Sequence, residues 1–286
     1  FVHAWDGSVQ GKLYSDVRFG FRYANDFLGV RDLVAQAYGA TFYAAGRYQN
    51  GGLDFKFFGD TIYLRPWLKD YADVEGYMTL EGTLTGTIDK PIVQGRLGSN
   101  DVVVNDMALK NISGNVYAEP TVVHLQNESF EEGEHGKFNI DGGMTLNGEQ
   151  RLFGYATISN GELVNFMKLA KLDVPESDGH INGRLDLGGT LKNPDLRLIG
   201  TIDDIVMGGK PWGTANVDVA LQNRKLTIHK GELPIGDGML AALGTADLDG
   251  QSDIQIAANN VAIDSLMPLF KTSVPASGNI HLIANV

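Results

Sequence analysis

The residues best able to do chemistry crowd into one stretch, "NESFEEGEHG", which carries Glu128, Glu131, Glu132, Glu134 and His135. Carboxylates and an imidazole at that density are the donor set of a Ca²⁺ or Zn²⁺ site. The Asp-rich loop with its fixed Gly and terminal Glu is missing, however, and the stretch reads as a solvated turn. His3, His124, His180, His229 and His281 are scattered, with no HxxxH or HExxH spacing to make a ligand pair. The 286 residues include no Cys, which removes disulfides, thiolate metal sites and a thiol nucleophile. No G-x-S-x-G elbow, S-x-x-K pair or phosphate loop is written anywhere. The Asn-x-Ser triplets at Asn111 and Asn127 are no more than chance supplies. The sequence therefore predicts no catalytic residues, no metal, no cofactor and no enzymatic activity.

Composition narrows the partners. A net charge of −12, from 35 acidic against 23 basic residues, repels phosphates, so nucleic acid and anionic membrane surfaces are poor partners for the chain as a whole. Hydrophobic residues make up 43%, enough to fold. No run approaches the roughly 18 apolar residues of a membrane span. The chain opens on Phe1 and breaks off in "GNIHLIANV", a strand with no successor, and reads as an internal piece of a longer protein.

What remains is alternation. In "GRLDLGGTLKNPDLRLIGTI" the residues Leu185, Leu187, Leu191, Leu196, Leu198 and Ile202 fall on one face of a pleated hairpin that turns at Asn193-Pro194. The phrase "EGTLTGTIDKPIVQGRL" repeats it about a hundred residues earlier. The same period of two puts Met78, Leu80, Leu84 and Ile88 on one face, then Val93 and Leu97, then Phe138, Ile140, Met144 and Leu146. It continues through Val217, Val219 and Leu221, Leu226 and Ile228, and Ile254 and Ile256. The facing positions are Thr, Asp, Glu, Asn, Lys and Arg. Asn-Gly, Asp-Gly, Asn-Pro and Gly-Gly pairs separate the segments, so neighbours in sequence are antiparallel neighbours in space.

Three phrases recur in the same order, which marks an internal repeat. "VNFMKLAKLDVPESDGHINGRLDL" matches "IDSLMPLFKTSVPASGNIHLIANV", with Pro175 and Pro275 100 residues apart. "YLRPWLKDYADVEGYMTLEGTL" states the theme earlier, and Gly-Thr-[Ile/Leu]-x-x-Pro occurs at Gly86–Pro91 and Gly189–Pro194. The boundaries follow: 1–62 ends one repeat, 63–162 and 163–262 are full units, and 263–286 starts another. Each unit holds five or six strands and a short boundary helix. The helices are expected around Tyr63–Tyr71, Leu163–Leu172 and Ile263–Thr272, with Trp67, Phe166, Met167, Leu169, Leu266, Leu269 and Phe270 on their apolar sides. An odd number of strands per unit would leave the chain on the far rim, and a helix would then have to cross the mouth to bring it back; the other reading is a helix that merely plugs a gap in the sheet.

Roughly 17 strands share an apolar face with too few helices to cover it. The face could close as a barrel, pack as a sandwich, or line a trough that meets a ligand. A repeat joined end to end extends in one dimension, as solenoids do. The stripe is also aliphatic, with 3 Trp in the whole chain. Both favour the trough.

The G-T-[IL]-x-x-P phrase, the later "GDGMLAALGTADL" at 236–248 and the short Pro-containing helix together resemble the TamB and AsmA-like proteins of diderm bacteria. The resemblance is clearest over 63–286; the aromatic-rich "DVRFGFRYANDFLG" departs from it. It implies an all-β, elongated antiparallel repeating β-groove, taco-shaped, with short helices at repeat boundaries, similar to the bridge-like lipid-transfer proteins of eukaryotes. The function implied is a periplasmic, non-enzymatic conduit carrying phospholipid acyl chains between inner and outer membranes. The parent protein would be anchored in the inner membrane outside this piece. The residues listed above would line the groove. The other role implied is a scaffold or chaperone in outer-membrane β-barrel assembly, with an Omp85-type β-barrel protein as partner.

Overall fold

The structure, a computed structural model, describes residues 1–9, 12–69, 72–169, 177–207, 209–247, 250–266 and 277–285. It is all-β, with eighteen antiparallel strands in one sheet. Two compact units divide it: Phe1–Glu131 with Gly143–Gly148, and Glu132–Gly142 with Glu149–Val286.

The first unit opens with β1 (Val2–Val9), β2 (Lys12–Ala24), β3 (Phe27–Ala37), β4 (Ala40–Gln49) and β5 (Gly52–Tyr63). Helix α1 (Arg65–Leu68) precedes β6 (Val74–Thr87), β7 (Pro91–Val104), β8 (Met107–Glu119) and β9 (Val122–Glu132). β10 (Gly136–Thr145) and β11 (Leu152–Glu162) follow, then α2 (Leu163–Leu169). The second unit continues through β12 (Ser177–Gly189), β13 (Pro194–Met207), β14 (Lys210–Gln222), β15 (Lys225–Ile235), β16 (Gly238–Asp247) and β17 (Ser252–Ala262). α3 (Ile263–Leu266) and β18 (Asn279–Asn285) complete it. From β1 to β8, and again from β11 to β18, each strand forms an antiparallel ladder with the next in sequence.

The recurring Gly-Thr-[Ile/Leu]-x-x-Pro phrase is a turn, built the same way twice. Gly86 and Gly189 take the left-handed backbone, φ 84° and 72°, that glycine adopts without a Cβ penalty. The Thr87 N–H donates to the Lys90 carbonyl at 3.1 Å and the Thr190 N–H to that of Asn193 at 3.0 Å. Each Thr hydroxyl accepts the returning N–H of Lys90 or Asn193 at 3.1 Å. Pro91 and Pro194 then open the next strand opposite the glycine, at the strand's first position, where proline is tolerated.

Each helix is inserted in a hairpin connection. Tyr63 pairs with Tyr77 across α1, Glu162 with His180 across α2, and Ala262 with Asn279 across α3. A bulge with a left-handed residue comes just before each: Thr61 (φ 53°), Asn160 (φ 54°) and Asn260 (φ 54°). Six strands separate α1 from α2 and six separate α2 from α3. Six is even, so the strand leaving each helix pairs directly with the strand entering it. The premise that the helix must carry the chain back across a mouth therefore falls away. α1 is shorter than its expected span, whereas α2 and α3 are helical over every described residue of theirs; the rest of those spans, including Leu269 and Phe270, lies outside the described residues.

Candidate functional site

In an antiparallel ladder, residues directly opposite share a face, so the registers show whether the predicted apolar positions meet. In the second unit they form rows across the strands. Leu187, Leu196, Leu221 and Leu226 make one row, ending on Ala246. Leu185, Leu198, Val219 and Ile228 make the next, continuing through Gly244 to Ile254. Val217 follows with Gly200, Gly231, Ala242 and Ile256. Ile202 pairs with Ile181 and Ala215. In the first unit Leu84 joins Phe55 and Val93, Leu80 joins Gly59 and Leu97, and Met78 faces Ile62.

Burial grades this face from one end to the other. Next to α3, Ile205, Trp212, Ala215, Leu233, Ile235, Ala258, Val261 and Leu266 form one buried cluster, with Ile202 and Val217 packed at its edge. Next to α1, Leu64, Val74 and Val102 do the same, with Met78 against them. Toward the opposite, turn-bearing ends of the strands, Leu185, Leu187, Leu196, Leu198, Val219, Leu221, Leu226, Ile228, Leu84 and Val93 are all only partly buried. The apolar face is thus dry core beneath each of these helices and an open aliphatic surface farther along.

The boundary residues explain the dry end. Trp67 packs edge-on against Tyr38 and Phe42, with centroids 5.4 and 6.3 Å away. Phe166 stacks on Phe138 at 6.1 Å, and Met167 receives a contact from the Ser177 hydroxyl at 3.6 Å. Leu169 ends α2. Phe138, Ile140 and Met144 lie on β10, with Phe138 buried. Three expected lining residues sit off the strand faces: Ile88 and Leu191 are in the repeated turns, 66% and 37% exposed, and Leu146 follows β10 at 40%.

Glycine lets the face bend. Gly82 opposes Gly95 and Gly183 opposes Gly200, one such pair in each repeat. A Cβ at Gly82 would overlap the Gln94 carbonyl oxygen, and one at Gly200 the Asn182 carbonyl oxygen. Neighbouring strands approach on the apolar side more closely than a Cβ permits. The other face is polar and ion-paired: Arg197 grips Asp218 with two bonds of 3.0 and 2.8 Å, and Arg184 meets Asp186 at 2.7 Å while lying over the Tyr155 ring. Arg197 accordingly holds the Asp218 carboxyl below its ordinary range.

The acidic stretch is not the solvated turn that its composition predicts. Glu134 and His135 are exposed, but Glu128 is 6% exposed and Glu132 fully buried. Glu132 accepts the Glu162 N–H at 3.1 Å and the Asn165 side-chain amide, anchoring the start of α2. Glu128 fills the space into which a Gly114 Cβ would project. Gly114 is opposite Leu97, so the carboxyl stands on the apolar face. Its Oε2 has no hydrogen-bond partner among the described residues, and burial pushes the group up to about 7. Alternation gives no signal for it: Asn127, just before it in β9, takes a left-handed backbone (φ 50°) that breaks the regular strand conformation on which alternation rests.

Compared with protein-family models, curated proteins and solved structures, the chain matches none.

Proposed function

We propose that this chain is a non-enzymatic lipid conduit, with acyl chains resting on the open half of its apolar face. One observation carries the reading: aliphatic side chains from four or more successive strands align in rows yet stay partly exposed, where a closed core would bury them. Each methylene taken out of water is worth about 0.8 kcal/mol, so such a surface desolvates a chain without any specific polar contact. Uniform Leu, Ile and Val rows offer no deep minimum to trap a sliding chain. The resemblance of the repeated turn and boundary helix to TamB and AsmA-like proteins supports a periplasmic setting, phospholipid as cargo, and an inner-membrane anchor elsewhere in the parent protein. In this reading the boundary helices close one edge of the apolar surface as plugs.

The test is extraction of the purified chain with organic solvent followed by mass spectrometry, with a photo-reactive residue at Leu198 or Val219. Phospholipid in the extract, and adducts at those positions but not at exposed Lys225, are the expected result. An extract free of lipid, or adducts to unfolded polypeptide in place of lipid, would remove the conduit and favour an assembly scaffold.

A further inference from the structure

The polar face of the first unit carries charge that the chain's total conceals. Against a net −12, Arg22, Arg31, Arg47 and Lys56 line a single open cavity of about 660 Å³. Asp54 is the one carboxylate among its described lining residues. The ladder places these side chains around a floor of small residues. Gly29 stands opposite both Arg22 and Arg47, and Ala45 stands opposite Lys56. Neither Gly29 nor Ala45 fills the space between the cations. Phe27 supplies an apolar wall, its ring within 3.0 Å of where a Gly29 Cβ would sit. Asp54 is engaged by Arg47 at 3.3 Å. Arg22, Arg31 and Lys56 have no ion-pair partner among the described residues.

Three uncompensated cations around a depression repel one another and favour an anion that can meet several at once. A carboxylate occupies one guanidinium fork, whereas a phosphate offers oxygens in several directions and up to two negative charges. We propose that this cradle binds a phosphate group, either free or in the headgroup of a lipid. It lies on the face opposite the aliphatic rows and does not depend on the conduit reading.

Calorimetric titration of the chain with sodium pyrophosphate at low salt tests the site. Arg22→Ala/Arg31→Ala and Lys56→Ala variants, each confirmed folded by circular dichroism, should weaken binding about tenfold or more, one charge-assisted contact being worth that much. Lys225→Ala, on the second unit, should leave it unchanged. Absence of binding to the parent chain at about 10 mM, the weak end of measurable affinity, would overturn the proposal. So would equal weakening in Lys225→Ala, which would mean diffuse attraction. Co-sedimentation with vesicles of phosphatidylglycerol and phosphatidylcholine, against phosphatidylcholine alone, separates the sources. Retention on the anionic vesicles that is lost in the double variant and displaced by pyrophosphate identifies a lipid headgroup. Pyrophosphate binding without vesicle retention identifies a soluble phosphate compound.

Discussion

Glu128 is the side chain most at odds with its surroundings, and its titration is measurable. Its folded-state value of about 7 lies above the ordinary 4.5, so the folded chain holds the proton more tightly than the unfolded chain does. The sign follows: the stability tied to this group is fully present below about pH 4.5, where the carboxyl is neutral in both states, and is lost as pH rises through about 7, a total change of about 3 kcal/mol at most. Glu128→Gln should therefore be more stable than the parent chain at pH 8 and close to it at pH 4.5, in urea melts at both values. An unchanged pH slope would show that the carboxyl is solvated. Glu132, by contrast, is buried with both oxygens occupied. Asn165→Ala should cost about 1–3 kcal/mol by stripping one of those partners. Neither role was legible in "NESFEEGEHG", because composition reports how much charge a stretch carries and not which of its residues face inward.

The strands separate what must be dry from what can be wet. Ile205 and Val261 sit in the buried cluster under α3, whereas Leu198 and Val219 sit on the open rows. Asp at Ile205 should cost several kcal/mol, as an unpaired buried charge does, while Asp at Leu198 should leave the chain folded and abolish lipid loading. Equal destabilisation at both would mean that the rows are closed core. Leu266→Ala should cost about 2–4 kcal/mol, since α3 contributes that side chain to the cluster. The paired glycines give a sharper contrast. Gly200→Ala drives a methyl into the Asn182 carbonyl and should lower the thermal midpoint, whereas Gly188→Ala, whose nearest neighbour is 3.7 Å away, should not. Strand positions, the repeated turn and the apolar rows were all readable from a period of two and from Gly, Thr and Pro placement. The strand count reads as five or six per unit in sequence and is six; the bulges at Thr61, Asn160 and Asn260 were not readable, because they carry no motif of their own. The inward–outward grading was equally hidden: Leu198 and Ile202 read alike in sequence and differ only in their distance from a helix that packs back onto the sheet.

At the scale of the whole chain, charge and topology act together. A net −12 works against any compact state by self-repulsion, which salt screens over roughly 10 Å at 0.1 M. Raising sodium chloride should therefore raise the melting temperature, except to the extent that it weakens the Arg197–Asp218 grip, a surface pair worth about 1 kcal/mol or less. The repeated turns at Gly86–Pro91 and Gly189–Pro194 join strands that are already neighbours along the polypeptide. Every described ladder does likewise, so no strand in them waits for a remote partner. Sheet proteins commonly fold slowly because distant segments must find one another before any pairing is rewarded. Here each hairpin can close on its own turn and offer an edge to the next. The polypeptide can thus acquire structure progressively while it is still being synthesised, adding strands in the order of their arrival.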